Sequence, residues 1–247
     1  MATKKKEESV KPKQDLKLSR RGGCYWVEDR PYISVTNILG VLDKPALRIW
    51  YGQCVYRAMV ADPGMTEQDA LKSPYAISGK AKKRGTNVHD LTEHFVDTDE
   101  YIISLDDDMQ GYGIAYRNWM HDFSPEIIAQ EQTVFSEKHG FAGTLDALIK
   151  FGDKSEPIIL DKKTGQDLYP EVQLQLSGYK QCFEEKGEKV GMAALLLKPD
   201  GTYKFERYHN FLIDEFLACK TLYEWKNKKQ MDEISKVINY NKTKKNA

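Results

Sequence analysis

EIIAQEQTVFSEKHGFAGTLDALIKFGDKSEPIILDKK, residues 126–163, carries the strongest strand pattern in the chain. Apolar and β-branched residues recur in three runs, Glu126–Glu137, Phe141–Phe151 and Glu156–Lys163. The turn-formers Lys138-His139-Gly140 and Gly152-Asp153-Lys154-Ser155 separate them. Strands joined by turns this short lie antiparallel, and residues equidistant from a turn face each other across the pair. Asp146 and Asp161 are symmetric about the second turn, and Glu131 and Asp146 about the first. The spacing therefore predicts a row, Glu131, Asp146, Asp161, across three neighbouring strands. Lys163 lies two residues beyond Asp161, on the same face. A slip of one residue in either register would break the row.

Upstream, the pattern turns helical. An aromatic segment from Tyr25 to Ile33, interrupted by Glu28-Asp29-Arg30-Pro31, predicts a small hairpin. Ser34 or Thr36 caps a short helix carrying Val35, Ile38, Leu39 and Leu42, and another helix follows Pro45. Further helices are expected from about Ile77 to Val96 and from Met109 to Phe123, with residues 97–100 and 106–108 as loop. Downstream come a helix from Pro170 to Lys186 and strands Val190–Leu197 and Tyr203–Tyr208. A long amphipathic helix from Leu212 to Ile238 closes the chain. From residue 80 to 198 the order is α-β-β-β-α-β, a mixed α/β class.

Three carboxylates about 5 Å apart repel one another unless positive charge sits among them. The single ammonium of Lys163 does not balance three. A hard divalent cation with oxygen ligands does, and Mg²⁺ is usually held by one or two carboxylates with waters and phosphate oxygens. Isolated charges on strands mostly decorate solvated faces. Here the flanking Gly143, Leu145, Ile159 and Leu160 read as core, which favours a built site.

Composition narrows the remaining classes. Lys+Arg and Asp+Glu both number 37, which excludes a strongly basic nucleic-acid-coating protein. The charge is unevenly spread: residues 1–21 and 226–247 each carry about five excess positive charges, leaving 22–225 acidic. Lys-rich ends suit phosphate contacts and also serve simply to solubilise. No apolar run reaches the ~18–20 residues of a membrane span, and the N-terminus lacks a secretory apolar stretch. Cys24, Cys54, Cys182 and Cys219 are scattered, as expected of free thiols in a reducing compartment, so an intracellular, cytoplasmic protein is expected. The histidines of His89-Asp-Leu-Thr-Glu93-His94 are five apart, which does not fit the i, i+4 pair of a zinc protease helix.

The motifs Gly85-Thr-Asn-Val-His89, Glu131, Gly143-Thr-Leu-Asp146, Leu160-Asp-Lys-Lys-Thr-Gly165 and Gln175-Leu-Ser-Gly-Tyr179 occur in that order. Together, over roughly residues 33–180, they resemble the PD-(D/E)XK nuclease superfamily, in its RecB-like branch. That branch includes mitochondrial genome maintenance exonucleases and related phage exonucleases. Ile33-Ser-Val-Thr36 ahead of the helix bearing Trp50 is similar to those members. The resemblance implies a restriction-endonuclease-like αβββαβ core with a helical N-terminal half and a long C-terminal helix. Its expected organisation is a basic flexible arm (1–21), a helical region with the first core helix and a DNA arch (22–124), the nuclease sheet and closing helix (125–240), and a basic tail (241–247).

By that resemblance Asp146 and Asp161 bind Mg²⁺ or Mn²⁺, one or two ions, with the backbone carbonyl of Lys162. His89 faces the same metal, and Glu131 binds a second ion or a metal-bound water. Lys163 orients the attacking water and stabilises the phosphorane. Gln175, Tyr179 and Thr164 contact DNA at the site, and Lys80, Lys82, Lys83 and Arg84 meet phosphates just before the motif helix. Tyr25, Trp26, Trp50 and Trp119 are aromatics able to stack on bases, Trp50 being the one expected in the core.

The implied function is a metal-dependent DNA exonuclease on single-stranded ends or flaps, in replication, repair or recombination. A non-catalytic DNA-binding or assembly subunit that retains the fold is the alternative from another class, and a structure-specific endonuclease a further one. No iron–sulfur cluster is expected, since the C-terminal half lacks a cysteine trio. No nucleotide site is expected either, because a Walker sequence is missing, so a helicase or recombination partner would be a separate protein. The resemblance also fits a phage-encoded origin.

Overall fold

The computed structural model describes residues 18–21 and 23–245. An N-terminal meander, β1 (Leu18–Arg21), β2 (Cys24–Val27) and β3 (Arg30–Ser34), leads into helices α1 (Val35–Leu39) and α2 (Pro45–Ala61). Then come α3 (Glu67–Glu93), α4 (Asp99–Ser104), α5 (Asp107–Phe123), β4 (Glu126–Ser136), β5 (Phe141–Lys150) and β6 (Ile158–Lys163). The remaining elements are α6 (Glu171–Glu184), β7 (Gly191–Leu197), β8 (Tyr203–Tyr208), α7 (Ile213–Lys226) and α8 (Lys228–Lys245). Within this mixed α/β chain, α3 followed, after the intervening α4 and α5, by β4-β5-β6-α6-β7 gives the expected αβββαβ set of elements.

All strands join one sheet, in the order β1-β2-β3-β5-β6-β7-β8, with β4 along the other edge of β5. The edge of β5 away from β4 is shared. β3 runs parallel to it at Phe141 and Ala142, and β6 antiparallel to it at Ala147–Ile149. Between these pairings, Gly143–Asp146 has no ladder partner on that edge among the described residues. Helices cover both faces, as a sheet apolar on both sides requires. On one face Leu145, Leu148 and Ile159 pack with Val172 and Leu176 of α6 and Phe216 of α7. On the other, Ala147, Ile149, Leu160 and Leu195 pack with Val88 and Leu91 of α3 and with Trp119 of α5.

Several boundaries differ from the sequence expectation, each for a local reason. The arm expected over 1–21 lies outside the described residues as far as 17, while Leu18–Arg21 pairs with Cys24–Val27. α3 begins ten residues before the expected Ile77 and runs through Pro74. Proline cannot donate to the carbonyl four residues back. The Ser73 hydroxyl donates to the Ala70 carbonyl instead, at 2.8 Å. Thr66 caps this longer helix, accepting from the Asp69 amide at 3.2 Å. The acidic loop between α3 and α5 contains α4, capped by Thr98. The closing helix is two helices, parted at Asn227, whose side chain donates back to the Tyr223 carbonyl at 2.8 Å. The tail expected at 241–247 continues α8 to Lys245.

Gly111 is required by close approach to backbone. A Cβ on Gly111 of α5 would stand 1.8 Å from the Pro199 carbonyl oxygen in the β7–β8 turn. Gly111→Ala is therefore expected to destabilise the protein by about 1–3 kcal/mol through overpacking against backbone. Urea unfolding would show this as a lowered midpoint at unchanged slope.

Candidate active site

The expected strand registers hold. β5 and β6 pair Ala147 with Leu160, and β4 and β5 pair Gln130 with Ala147 and Gln132 with Leu145. Asp161 thus comes opposite Asp146, and Glu131 on its other side. The two ladders, however, are interrupted at these positions. Glu131 has φ 46°, in the left-handed region that non-glycine residues rarely occupy. The face alternation of β5 slips at Asp146: Leu145 and Leu148 pack on one layer, Ala147 and Ile149 on the other. The Asp146 carboxylate then accepts from the Lys162 amide at 2.5 Å, in place of a strand carbonyl.

The result is two connected groups in place of one flat row. In the first, ligand atoms of His89, Glu131 and Asp146 lie within 4.8 Å of one another. His89 Nδ1 is 3.7 Å from Glu131 Oε1 and 3.6 Å from Asp146 Oδ1. His89 comes from α3, Glu131 from the distorted turn of β4 and Asp146 from β5. In the second, Asp161 is buried on β6, with Lys163 Nζ 2.6 Å from its Oδ2. Gln175 of α6 donates to Asp161 Oδ1 at 2.9 Å and to the Tyr179 hydroxyl at 3.0 Å, and accepts from Lys163 Nζ at 3.3 Å. Gly143 makes room for this: a Cβ there would stand 2.4 Å from Tyr179 Cε1.

Electrostatics joins the groups. Burial pushes the Asp161 carboxyl up to about 6; Lys163 opposes the rise and Asp146 adds to it. Burial alone would lower the Lys163 ammonium, but Asp161 and Asp146 outweigh it and hold it above the ordinary lysine value. Lys163 therefore stays cationic at any working pH. Burial and the two aspartates hold the Tyr179 hydroxyl far above its usual value, so it is neutral.

These residues fit a hard divalent cation. Asp146, Glu131 and His89 offer the oxygen-and-imidazole set such an ion takes, and the buried Asp161 carboxylate adds a further oxygen pair, its Oδ2 held at 2.6 Å by the Lys163 ammonium.

Lys162, adjacent to two of these groups, has a side chain that the sequence did not place. It points to the opposite layer, is 2% exposed, and donates to the Thr92 hydroxyl at 2.6 Å. Thr92 in turn donates to the His89 carbonyl at 2.9 Å, tying the turn of α3 that carries His89 to β6. Burial lowers the Lys162 ammonium, against Asp146, Glu131 and Glu93, which raise it. Thr92→Val should strand a buried ammonium and cost about 2–3 kcal/mol. Adding Lys162→Met should recover most of that, a non-additivity that urea unfolding of the single and double variants would read.

Other expected residues take simpler places. Thr164 follows β6, its hydroxyl 3.7 Å from where a Cβ on Gly85 would stand. Lys80, Lys82, Lys83 and Arg84 are exposed on α3. Tyr25 is buried, its hydroxyl 3.2 Å from that of Thr144, and Trp119 is in the core. Trp50, expected in the core, is only partly buried, because α2 packs on α3 and buries just Cys54 fully. Lys44 and Glu171, unmarked by any motif, join the start of α2 to the start of α6 at 3.1 Å. All four cysteines are buried free thiols, and no helix among the described residues is long and apolar enough to cross a membrane.

No protein-family model matches the chain, and no curated protein sequence does. Among solved structures, the chain is similar to an alkaline exonuclease from Laribacter hongkongensis, at 14% identity and a TM-score of 0.41, over 86% of this chain and 92% of that one. The complex of that exonuclease with dAMP is similar at 13% identity and a TM-score of 0.40, over the same shares of the two chains.

Proposed function

We propose that the chain is a divalent-metal-dependent deoxyribonuclease of the PD-(D/E)XK type, an exonuclease on single-stranded ends or flaps. The observation that supports this best is the convergence on Asp146 of two groups. One is a ligand set of His89 and Glu131, and the other an acid–ammonium pair, Asp161 and Lys163, steered by Gln175. A binding module has no use for such a centre.

When bound, Mg²⁺ or Mn²⁺ would lower the pKa of a water and polarise the phosphodiester. Asp146, Asp161, Glu131 and His89 would hold it, together with the Lys162 carbonyl. Lys163, kept cationic by Asp161 and Asp146, presents a fixed donor where negative charge develops on the phosphorane. Gln175 restricts Lys163 to that position and braces Asp161. Glu131 is held in its left-handed conformation by the surrounding sheet, the kind of local strain that clusters at functional sites. α2 and α3 have one foot at Lys44–Glu171 and the other at His89, and on this reading their hairpin would arch over a strand entering the centre.

End-labelled DNA tests the reading, as linear single strands, linear duplexes and closed circles with Mg²⁺, Mn²⁺ or EDTA. Metal-dependent loss of linear single strands with circles spared is expected. Cutting of circles would make the enzyme an endonuclease. Binding without cleavage of any substrate would favour the non-catalytic subunit.

A further inference from the structure

We infer that one face of α3 is a track for single-stranded DNA, in which Tyr75 stacks on an unpaired base and Lys82 meets a phosphate on the way to His89. This rests on the nuclease reading and names the path of its substrate.

The face follows from helix periodicity. Tyr75, Lys82 and His89 are seven residues apart, two turns each, with a drift of only ~20° per step. Gly79 and Thr86 fall between them at three- and four-residue steps, so only small side chains separate the larger ones. A Cβ on Gly79 would have nothing within 4 Å, so the surface there is open. The Tyr75 ring is 66% exposed and braced on one side by an edge contact to Tyr51 at 5.6 Å. Tyr51 is itself held edge-on by Trp50 at 5.2 Å. Such a pre-positioned ring loses little freedom on stacking.

Charge selects the occupant. Residues 71–89 carry five Lys/Arg and no Asp or Glu, inside a middle region that is acidic as a whole. Among the described residues, none of Lys80, Lys82, Lys83 and Arg84 makes an ion pair. A protein partner docking on apolar surface would have to bury these unpaired cations. A strand of unpaired bases supplies phosphates for the lysines and a π-face for the tyrosine. A duplex offers the phosphates but hides the base faces. The same helix ends its exposed face in the catalytic centre, so track and site are continuous. From Tyr75 to His89 the helix rises ~21 Å, the length of about six stacked nucleotides at ~3.4 Å each.

The test uses equilibrium binding of fluorescein-labelled oligothymidylates in EDTA, where no cleavage occurs. Affinity should rise with length up to about six nucleotides beyond the site. Gly79→Leu fills the track where an added Cβ meets no atom within 4 Å, and it adds a better helix former, so the variant should melt no lower than wild type. It should nevertheless weaken binding about tenfold, as should Tyr75→Ala. Unchanged affinity in both folded variants would overturn the track. Equal weakening on blunt duplex would overturn the single-strand assignment. Mg²⁺-dependent cleavage of linear single-stranded DNA by the wild type, measured separately, reports the nuclease chemistry. Its absence would refute that reading, while the oligothymidylate data judge the track.

Discussion

Lys163→Ala is expected to give a folded protein whose turnover of linear DNA falls about 10²–10³-fold. The side chain is a third exposed and makes its contacts only within the site, at 2.6 Å to Asp161 and 3.3 Å to Gln175, so its loss opens no core cavity. No neighbouring ammonium can replace it. Lys162 is next in sequence, but its Nζ is buried in the opposite layer on Thr92. Arginine is a poor substitute as well, because its planar fork cannot occupy the point position between Asp161 and Gln175. Single-turnover rates at saturating Mg²⁺, beside circular dichroism to confirm the fold, measure the effect. A wild-type rate would remove Lys163 from the chemistry.

Asp161→Asn should have the larger effect, a loss of ~10³-fold or more, because it removes a ligand charge and the partner that orients Lys163. The amide is isosteric, and its oxygen can still accept from Gln175, so α6 stays docked. The wild type should gain melting temperature with added Mn²⁺, as any ligand that binds only the native state requires. The variant should gain far less. Retention of both the rate and the Mn²⁺ response would exclude Asp161 as a ligand.

Much of this centre is legible in the sequence because short turns fix strand register. Symmetry about residues 138–140 and 152–155 places Glu131, Asp146 and Asp161 opposite one another, and the flanking pairs Gln130–Ala147, Gln132–Leu145 and Ala147–Leu160 keep that register. Register does not give side-chain direction where the strand is irregular. Glu131 at φ 46° and the slip of β5 at Asp146 split the predicted row into two groups. Neither residue is glycine or proline, so neither carries a local signal of distortion. Lys162 was legible only as a backbone position. Strand alternation puts its side chain opposite Asp161, but that an ammonium would be buried there depends on Thr92, seventy residues earlier. The helical half was less legible. Pro74 reads as a breaker, and only Ser73 taking the Ala70 carbonyl lets α3 continue through it. Asn227 reads as an ordinary polar residue within a long amphipathic pattern, yet its bond to the Tyr223 carbonyl ends α7.

On the proposed function, Asp146 joins two groups into one metal-dependent phosphodiesterase centre. Its most direct test is the initial rate of cleavage of linear single-stranded DNA by wild type and Asp161→Asn, each with Mg²⁺ and with EDTA. Cleavage is expected only from the wild type with Mg²⁺. Cleavage in EDTA, or equal cleavage by Asp161→Asn, would contradict it.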